Sequence, residues 1–178
     1  MRIVDATPRM MEEYLPAILR IYARAHGLTP PMVEQRREIM LRHFQRRGFR
    51  GLLALDGKTL AGFAYGYTGE PGQYWYELVH AAMEPEMRRE WLERDHFEFV
   101  ELAVDEGYRR MGLGGKLHDA LLDGRKEPVA LLTVRMDNLP ALNLYFRKGW
   151  KILVKNFRFS PGGPPFYVMG KILGANHP

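Results

Sequence analysis

FEFVELAVDEGYRRMGLGGKL, residues Phe97 to Leu117, is the stretch whose reading decides the fold. Its first eight residues are apolar or β-branched apart from Glu98 and Glu101, the next few are polar, and Arg109-Arg110-Met111-Gly112-Leu113-Gly114-Gly115-Lys116 follows. The pattern predicts a strand, a glycine-bearing turn and the start of a helix. Such a junction aims several backbone N–H groups and the positive end of a helix dipole at one spot, and glycine lets phosphates approach the backbone. It is a candidate anion cradle, although the same glycines also suit a plain strand-to-helix turn. A P-loop would need glycine where Arg110 stands and Ser or Thr where Leu117 stands, and a dinucleotide fingerprint would need a third glycine at Leu117.

The spacing that is present is Arg-x-x-Gly-x-Gly, Arg109 to Gly114, starting five residues after Val104. Downstream, the apolar run Val129 to Val134 leads to Asn138-Leu-Pro-Ala141-Leu-Asn-Leu-Tyr145-Phe-Arg-Lys-Gly149-Trp150, which fills an Asn-x-x-Ala-x-x-x-Tyr-x-x-x-Gly-Phe/Trp pattern. On these two motifs, covering roughly residues 97 to 150, the chain resembles the GNAT superfamily of acyl-CoA-dependent N-acetyltransferases. The resemblance implies one α/β domain over 1–178 with a mixed, mostly antiparallel sheet of about seven strands and helices on both faces. It also implies that the fourth and fifth strands run parallel and splay apart to admit coenzyme A.

Composition sets wider bounds. The 178 residues are one domain's worth of chain, and 46% hydrophobic content with ample aromatics excludes wholesale disorder. Without cysteine there is no disulfide, thiol nucleophile or cysteine-ligated metal. The first residues lack a signal peptide's apolar core and no run is long enough to span a bilayer, so a cytoplasmic protein without membrane association is expected. A net charge of +5 favours anionic partners, and coenzyme A is one. The arginines are dispersed, and no nucleic-acid-binding motif accompanies them, so nucleic acid is not expected as a partner.

In chain order, Arg2–Ala6 reads as a strand, and a helix is expected from about Arg9 to Ala25 with Leu15, Ile18, Leu19 and Tyr22 at helical spacing, stopping at Gly27. Pro30-Pro31 opens a second helix to about Arg47, with Val33, Ile39, Met40 and Phe44 as its apolar face. Residues 49–55, Asp56-Gly57 and 59–67 form a hairpin signal. Residues 69–95 read as a helical insertion, with Trp75, Leu78, Val79 and Ala82 on one face and Pro85 interrupting it. Its aromatics suit a substrate wall, an oligomer interface or simple packing on the core. Another helix is expected from about Gly112 to Asp123, with Leu113, Leu117, Leu121 and Leu122 inward, and a further one over Leu139–Arg147. Residues 150–159 and 166–173 read as a closing antiparallel pair, and Gly174 to Pro178 as a loose tail.

Acetyl transfer to an amine needs a held thioester, a neutral amine and a proton for the departing thiolate. The resemblance implies that the backbone of Leu102, Ala103 and Val104 pairs with the pantetheine arm. It also implies that the loop Arg109, Arg110, Met111, Gly112, Leu113, Gly114 and Gly115 takes the pyrophosphate, that Asn138 bonds the cofactor arm, and that Tyr145 is the general acid. Tyr145 packed against the sheet is the plain alternative. Glu98 falls where the histone-acetylating branch carries its catalytic carboxylate. Glu101, three residues on and therefore on the opposite face of a regular strand, is the second candidate, through a water chain or the substrate ammonium. A carboxylate on an apolar strand should have a raised pKa, as suits a base. Thr133 stands where the branch acting on protein N-termini carries a glutamate.

The six histidines show no metal-ligand pairing, so no metal is expected; His26 and His43 read as surface or boundary residues, while His80 and His96 are placed to titrate near neutrality. The expected activity is acetyl transfer from acetyl-CoA to a primary amine of a small molecule or peptide, by direct attack. The rivals are a CoA-binding regulatory or interaction module of the same fold without transferase activity, and a basic nucleic-acid-associated protein. The acceptor is not encoded in any motif, and a homodimer through the insertion or last strands is compatible with the sequence.

Overall fold

The computed structural model describes residues 1–174; the tail expected over 174–178 lies, beyond Gly174, outside the described residues. Seven strands form one mixed sheet in the order β1-β2-β3-β4-β5-β7-β6. They are β1 (Arg2–Ala6), β2 (Arg50–Asp56), β3 (Thr59–Thr68), β4 (His96–Val104), β5 (Val129–Arg135), β6 (Lys151–Phe157) and β7 (Phe166–Ile172). The pairs β1/β2, β2/β3, β5/β7 and β6/β7 are antiparallel, and β4/β5 is parallel, as the resemblance implies. The parallel pairing is short and runs only from His96↔Val129 to Glu98↔Leu131. Among the described residues no helix is long and apolar enough to cross a membrane.

The contacts divide the chain into two compact units, 1–67 with 100–123 and 68–99 with 124–178. In the first unit the expected single helix is two, α1 (Pro8–Glu13) and α2 (Leu15–His26). Pro16 has no N–H to donate to the carbonyl four residues back, so the helix is broken at Tyr14 and restarts there. Helix α3 (Pro30–His43) ends before the expected Arg47, because the chain tightens into three-residue bonds from Gln45 and Arg46 as Phe44 enters the core. The β2–β3 loop is the two residues Gly57-Lys58, with Gly57 at φ +62. Met11, Leu15, Ile18, Tyr22, Met40, Phe44, Phe63 and Tyr65 belong to one buried core. His43 belongs inside as well: it is buried, not a boundary residue, and its Nδ1 lies 2.9 Å from the Tyr65 hydroxyl.

In the second unit the insertion is helical as expected: α4 (Tyr74–Ala82), then α5 (Pro85–Met87), which widens into a π-helical turn over Arg88–Leu92. Trp75, Tyr76, Val79, Met83, Trp91 and Leu92 form a core with Val129, Leu131, Phe157 and Val168. Ala82 is exposed, contrary to expectation, and Tyr76 is buried in the stripe instead. Trp75 Nε1 donates to Thr133 Oγ1 at 3.2 Å, and the Trp91 ring lies where a Cβ on Gly170 would meet it at 2.6 Å. The buried aromatics are therefore occupied in packing the insertion onto β5 and β7, the plainest of the three readings. Helices α6 (Leu113–Leu122), in the first unit, and α7 (Leu139–Arg147), in the second, fall where expected. On α6 the inward set is Leu113, Leu117, His118 and Leu121, with Leu122 only half-buried.

Candidate active site

The first unit carries the predicted cradle. After β4, Asp105 Oδ1 accepts from the Glu106 N–H at 3.0 Å and caps a short 3-10 turn, Glu106–Tyr108. Arg109 Nε donates back to the Val104 carbonyl at 3.2 Å, which braces the loop against the strand it leaves. Arg110 at φ +64 and Gly112 at φ +74 are both left-handed. Two such residues turn the chain sharply into α6, whose N-terminus no side chain caps. The first helical bond runs from the Lys116 N–H to the Gly112 carbonyl, so the N–H groups of Leu113, Gly114 and Gly115 precede the ladder. Arg109, Arg110, Met111 and Gly112 are exposed, whereas Leu113 is buried and anchors the turn. Orphan N–H groups, a helix dipole and adjacent arginines suit a phosphate.

Glu101 lies in the same unit. Asp105 N–H donates to the Ala61 carbonyl at 2.8 Å, which ties the end of β4 to β3. Ala103 shares the core of Phe63 and Tyr65, and Glu101, two residues earlier, falls on that same face. Its surroundings are Tyr22, Tyr65 and Arg36, all of which feel its charge. Burial pushes the Glu101 carboxyl up to about 7, and the Arg36 guanidinium opposes that rise without cancelling it. The tyrosines are not alternatives as bases, since burial first and then the Glu101 charge hold the Tyr22 and Tyr65 phenols above their ordinary value. His43 is depressed to about 3 by burial and by Arg46, Arg36 and Arg42, so at neutral pH it is an uncharged partner of Tyr65.

The remaining candidates belong to the second unit. Glu98 is 4% exposed and pairs with Leu131, while His96 pairs with Val129, so both face the core formed by the insertion. His96 is buried and stacked on Tyr76, and that burial lowers its pKa below the ordinary histidine value. Tyr145 is buried, with its ring edge-on to Phe99 at 6.0 Å and to Trp150 at 5.9 Å. Phe99 follows Glu98 and points to the other face of the strand, so Tyr145 and Glu98 occupy opposite faces within this unit. Asn138 uses Oδ1 to cap α7, accepting from the Ala141 N–H at 3.3 Å; its backbone N–H donates to the Arg135 carbonyl and its carbonyl accepts from the Leu142 N–H, so its amide NH₂ is the group left for a ligand.

Arg36, Tyr22 and Tyr65 are the neighbours of Glu101 that sequence reading missed. The one local signal was Tyr65-Gly66-Tyr67, two aromatics on one face of a strand. A concavity of the first unit, about 510 Å³, is bounded by Asp5–Pro8, Phe44–Arg46 and Gly48–Gly51 and holds none of the motif residues. Its Arg50 is bound to Asp5 and to backbone carbonyls.

Residues 15–150 match the family model described as Acetyltransferase (GNAT) family, so the chain belongs to that family. It is 27% identical, over 96% of its own length and 97% of the relative's, to a GCN5-like protein acetyltransferase of Mycobacterium tuberculosis. Among solved structures, Ard1 from Thermoplasma volcanium superposes with a TM-score of 0.67 at 20% identity, covering 98% of each chain. The paia N-acetyltransferase from Thermoplasma acidophilum, solved in complex with coenzyme A, gives 0.61 at 15% identity over 97% of this chain and 100% of that one.

Proposed function

We propose that this protein transfers an acetyl group from acetyl-CoA to a primary amine by direct attack. The observation that carries the reading is the uncapped start of α6, reached through two left-handed residues and flanked by Arg109 and Arg110. It suits the pyrophosphate of coenzyme A, the ligand in the solved complex of the Thermoplasma acidophilum relative. The backbone of Leu102–Val104 is the segment for the pantetheine arm, and the side-chain NH₂ of Asn138 is the group for the cofactor.

In the reaction, the amine nitrogen attacks the thioester carbonyl carbon, the C–S bond breaks, the nitrogen loses one proton and the thiolate sulfur gains one. We assign the nitrogen's proton to Glu101, directly or through water, because a carboxylate at about 7 is poised to accept it near neutral pH. Glu98 is the weaker candidate, being buried on the insertion side of β4 and away from Tyr145. Tyr145 keeps the role of thiolate acid that its motif implies. Thr133 is engaged with Trp75 and is not a carboxylate, which argues against the branch acting on protein N-termini.

The test is thermal unfolding alone and with CoA, acetyl-CoA, ATP or NAD, followed by thiol release with a panel of amines. A ligand at about 100 times its dissociation constant adds roughly 2.7 kcal/mol. Stabilisation by both CoA species and not by ATP or NAD, with amine-dependent thiol release, is the expected result. Stabilisation without release for any amine would favour a CoA-binding module, and no stabilisation by CoA would sink the cradle assignment.

A further inference from the structure

Arg36 and Glu101 form an unusual pair. Each is half-buried, each feels the other's charge, and both border the buried rings of Tyr22 and Tyr65. Yet among the described residues neither side chain makes a hydrogen bond or an ion pair, with the other or with any third group. A guanidinium and a carboxylate that had evolved only to neutralise one another would close to bidentate contact, where charge-assisted bonds are strongest. Arg36 is instead held back, with its guanidinium 5.0 Å above the Tyr22 ring centroid. Tyr65 is fixed in turn by His43 at 2.9 Å, and Tyr67 by the Arg46 guanidinium above its face.

Opposite charges, ordered by aromatic rings and kept apart, are complementary to a molecule carrying the same two charges in the reverse sense. We propose that the acceptor is a zwitterion: its ammonium goes to Glu101 and a carboxylate close to that amine goes to Arg36. Arg36 is then a specificity-determining residue, and the acceptor class is amines of amino-acid type rather than plain alkylamines or polyamines. The inference rests on the transferase reading above and narrows its substrate. The same chemistry occurs in a free amino acid and in a peptide lysine beside an acidic residue, and the two sources need separate arms.

The experiment compares free L-amino acids with their C-terminal amides, and blocked tripeptides with lysine beside Glu with those beside Gln. Each pair is followed by thiol release and by calorimetric binding to CoA-saturated protein. One charge-assisted contact predicts an acid-over-neutral preference of about 10- to 100-fold within at least one arm. Arg36→Gln should collapse that preference through the KM of the acid, with the KM of acetyl-CoA as control, and Arg36→Lys should restore part of it. Equal or better use of the neutral partners, or no binding of any acid, overturns the proposal. So does a preference that Arg36→Gln leaves intact in protein shown to be folded. Binding is read separately from turnover, so loss of the acetyl-transfer reading and loss of the zwitterion reading give different results.

Discussion

Gly69→Ala is a one-carbon change with a cost that can be worked out from its neighbours. A Cβ at position 69 would lie 1.9 Å from His96 Nε2, 2.6 Å from Cδ2 and 2.8 Å from Cε1. The ring has little room to retreat: His96 is 1% exposed, its Nδ1 lies 3.0 Å from the Arg94 carbonyl, and it stacks on Tyr76 at 5.9 Å. Overpacking costs about 1–3 kcal/mol, and pulling the ring off its carbonyl adds about 1 kcal/mol. Position 69 has no left-handed backbone, so alanine there would otherwise stabilise by about 0.4–1 kcal/mol. The net expectation is a loss of about 2 kcal/mol, or roughly 4–8 °C in Tm for a chain of this size. The assay is a double-mutant cycle with His96→Ala by urea unfolding. With the ring gone, Gly69→Ala should cost nothing or stabilise, giving a coupling of at least about 2 kcal/mol. A cost independent of His96 would refute the contact.

Glu101→Gln should lower kcat/KM by about 10²–10⁴ and remove the acid limb of the pH–rate profile. In the parent that limb should be centred near pH 7, with activity falling as the carboxylate protonates; a limb that survives in the variant would place the base elsewhere. His43 is neutral when folded but protonates at its ordinary value of about 6.5 once unfolded, so its contribution is complete above that pH and declines below it. The decline is about 1.4 kcal/mol per pH unit, and Glu101, with its raised pKa, acts in the opposite sense. The clean measurement is therefore the difference between parent and His43→Phe in urea titrations at pH 7.5 and 5, expected to shrink by roughly 2 kcal/mol. Arg110→Gly should stabilise by about 1 kcal/mol, since a left-handed non-glycine costs roughly that much. A fall in Tm would show instead that the guanidinium supports the loop.

How far the fold was legible depended on how local its cause was. The strand, turn and helix from Phe97 to Leu122, the Gly57 hairpin and the Pro140 helix start were readable because each is fixed by residues adjacent in sequence. The break at Tyr14 is also local, but the apolar spacing that marks the helix continues across Pro16 and masks it. His43 and Tyr76 are a different case. Their burial depends on partners 22 residues away for His43, and on β5 and β7 for Tyr76, and no nearby pattern announces either. At the candidate site the glycine loop was legible. The surroundings of Glu101, drawn from α2, α3 and β3, were not, because they arise only when three separate elements meet.

The position of β7 constrains how the molecule is made. It is last in sequence but lies between β5 and β6, pairing with seven residues of one and then with the other. A nascent chain that has emerged only as far as Phe159 therefore has both neighbours present and a vacant lane between them, with two facing rows of unsatisfied backbone groups. Such rows are what other strands add to. Until Ile172 leaves the ribosome this half is open to any passing strand, including that of a second copy. Ribosome-stalled chains ending on either side of β7 should differ sharply in protease resistance, and aggregation during synthesis should depend on the last strand more than on the glycine loop.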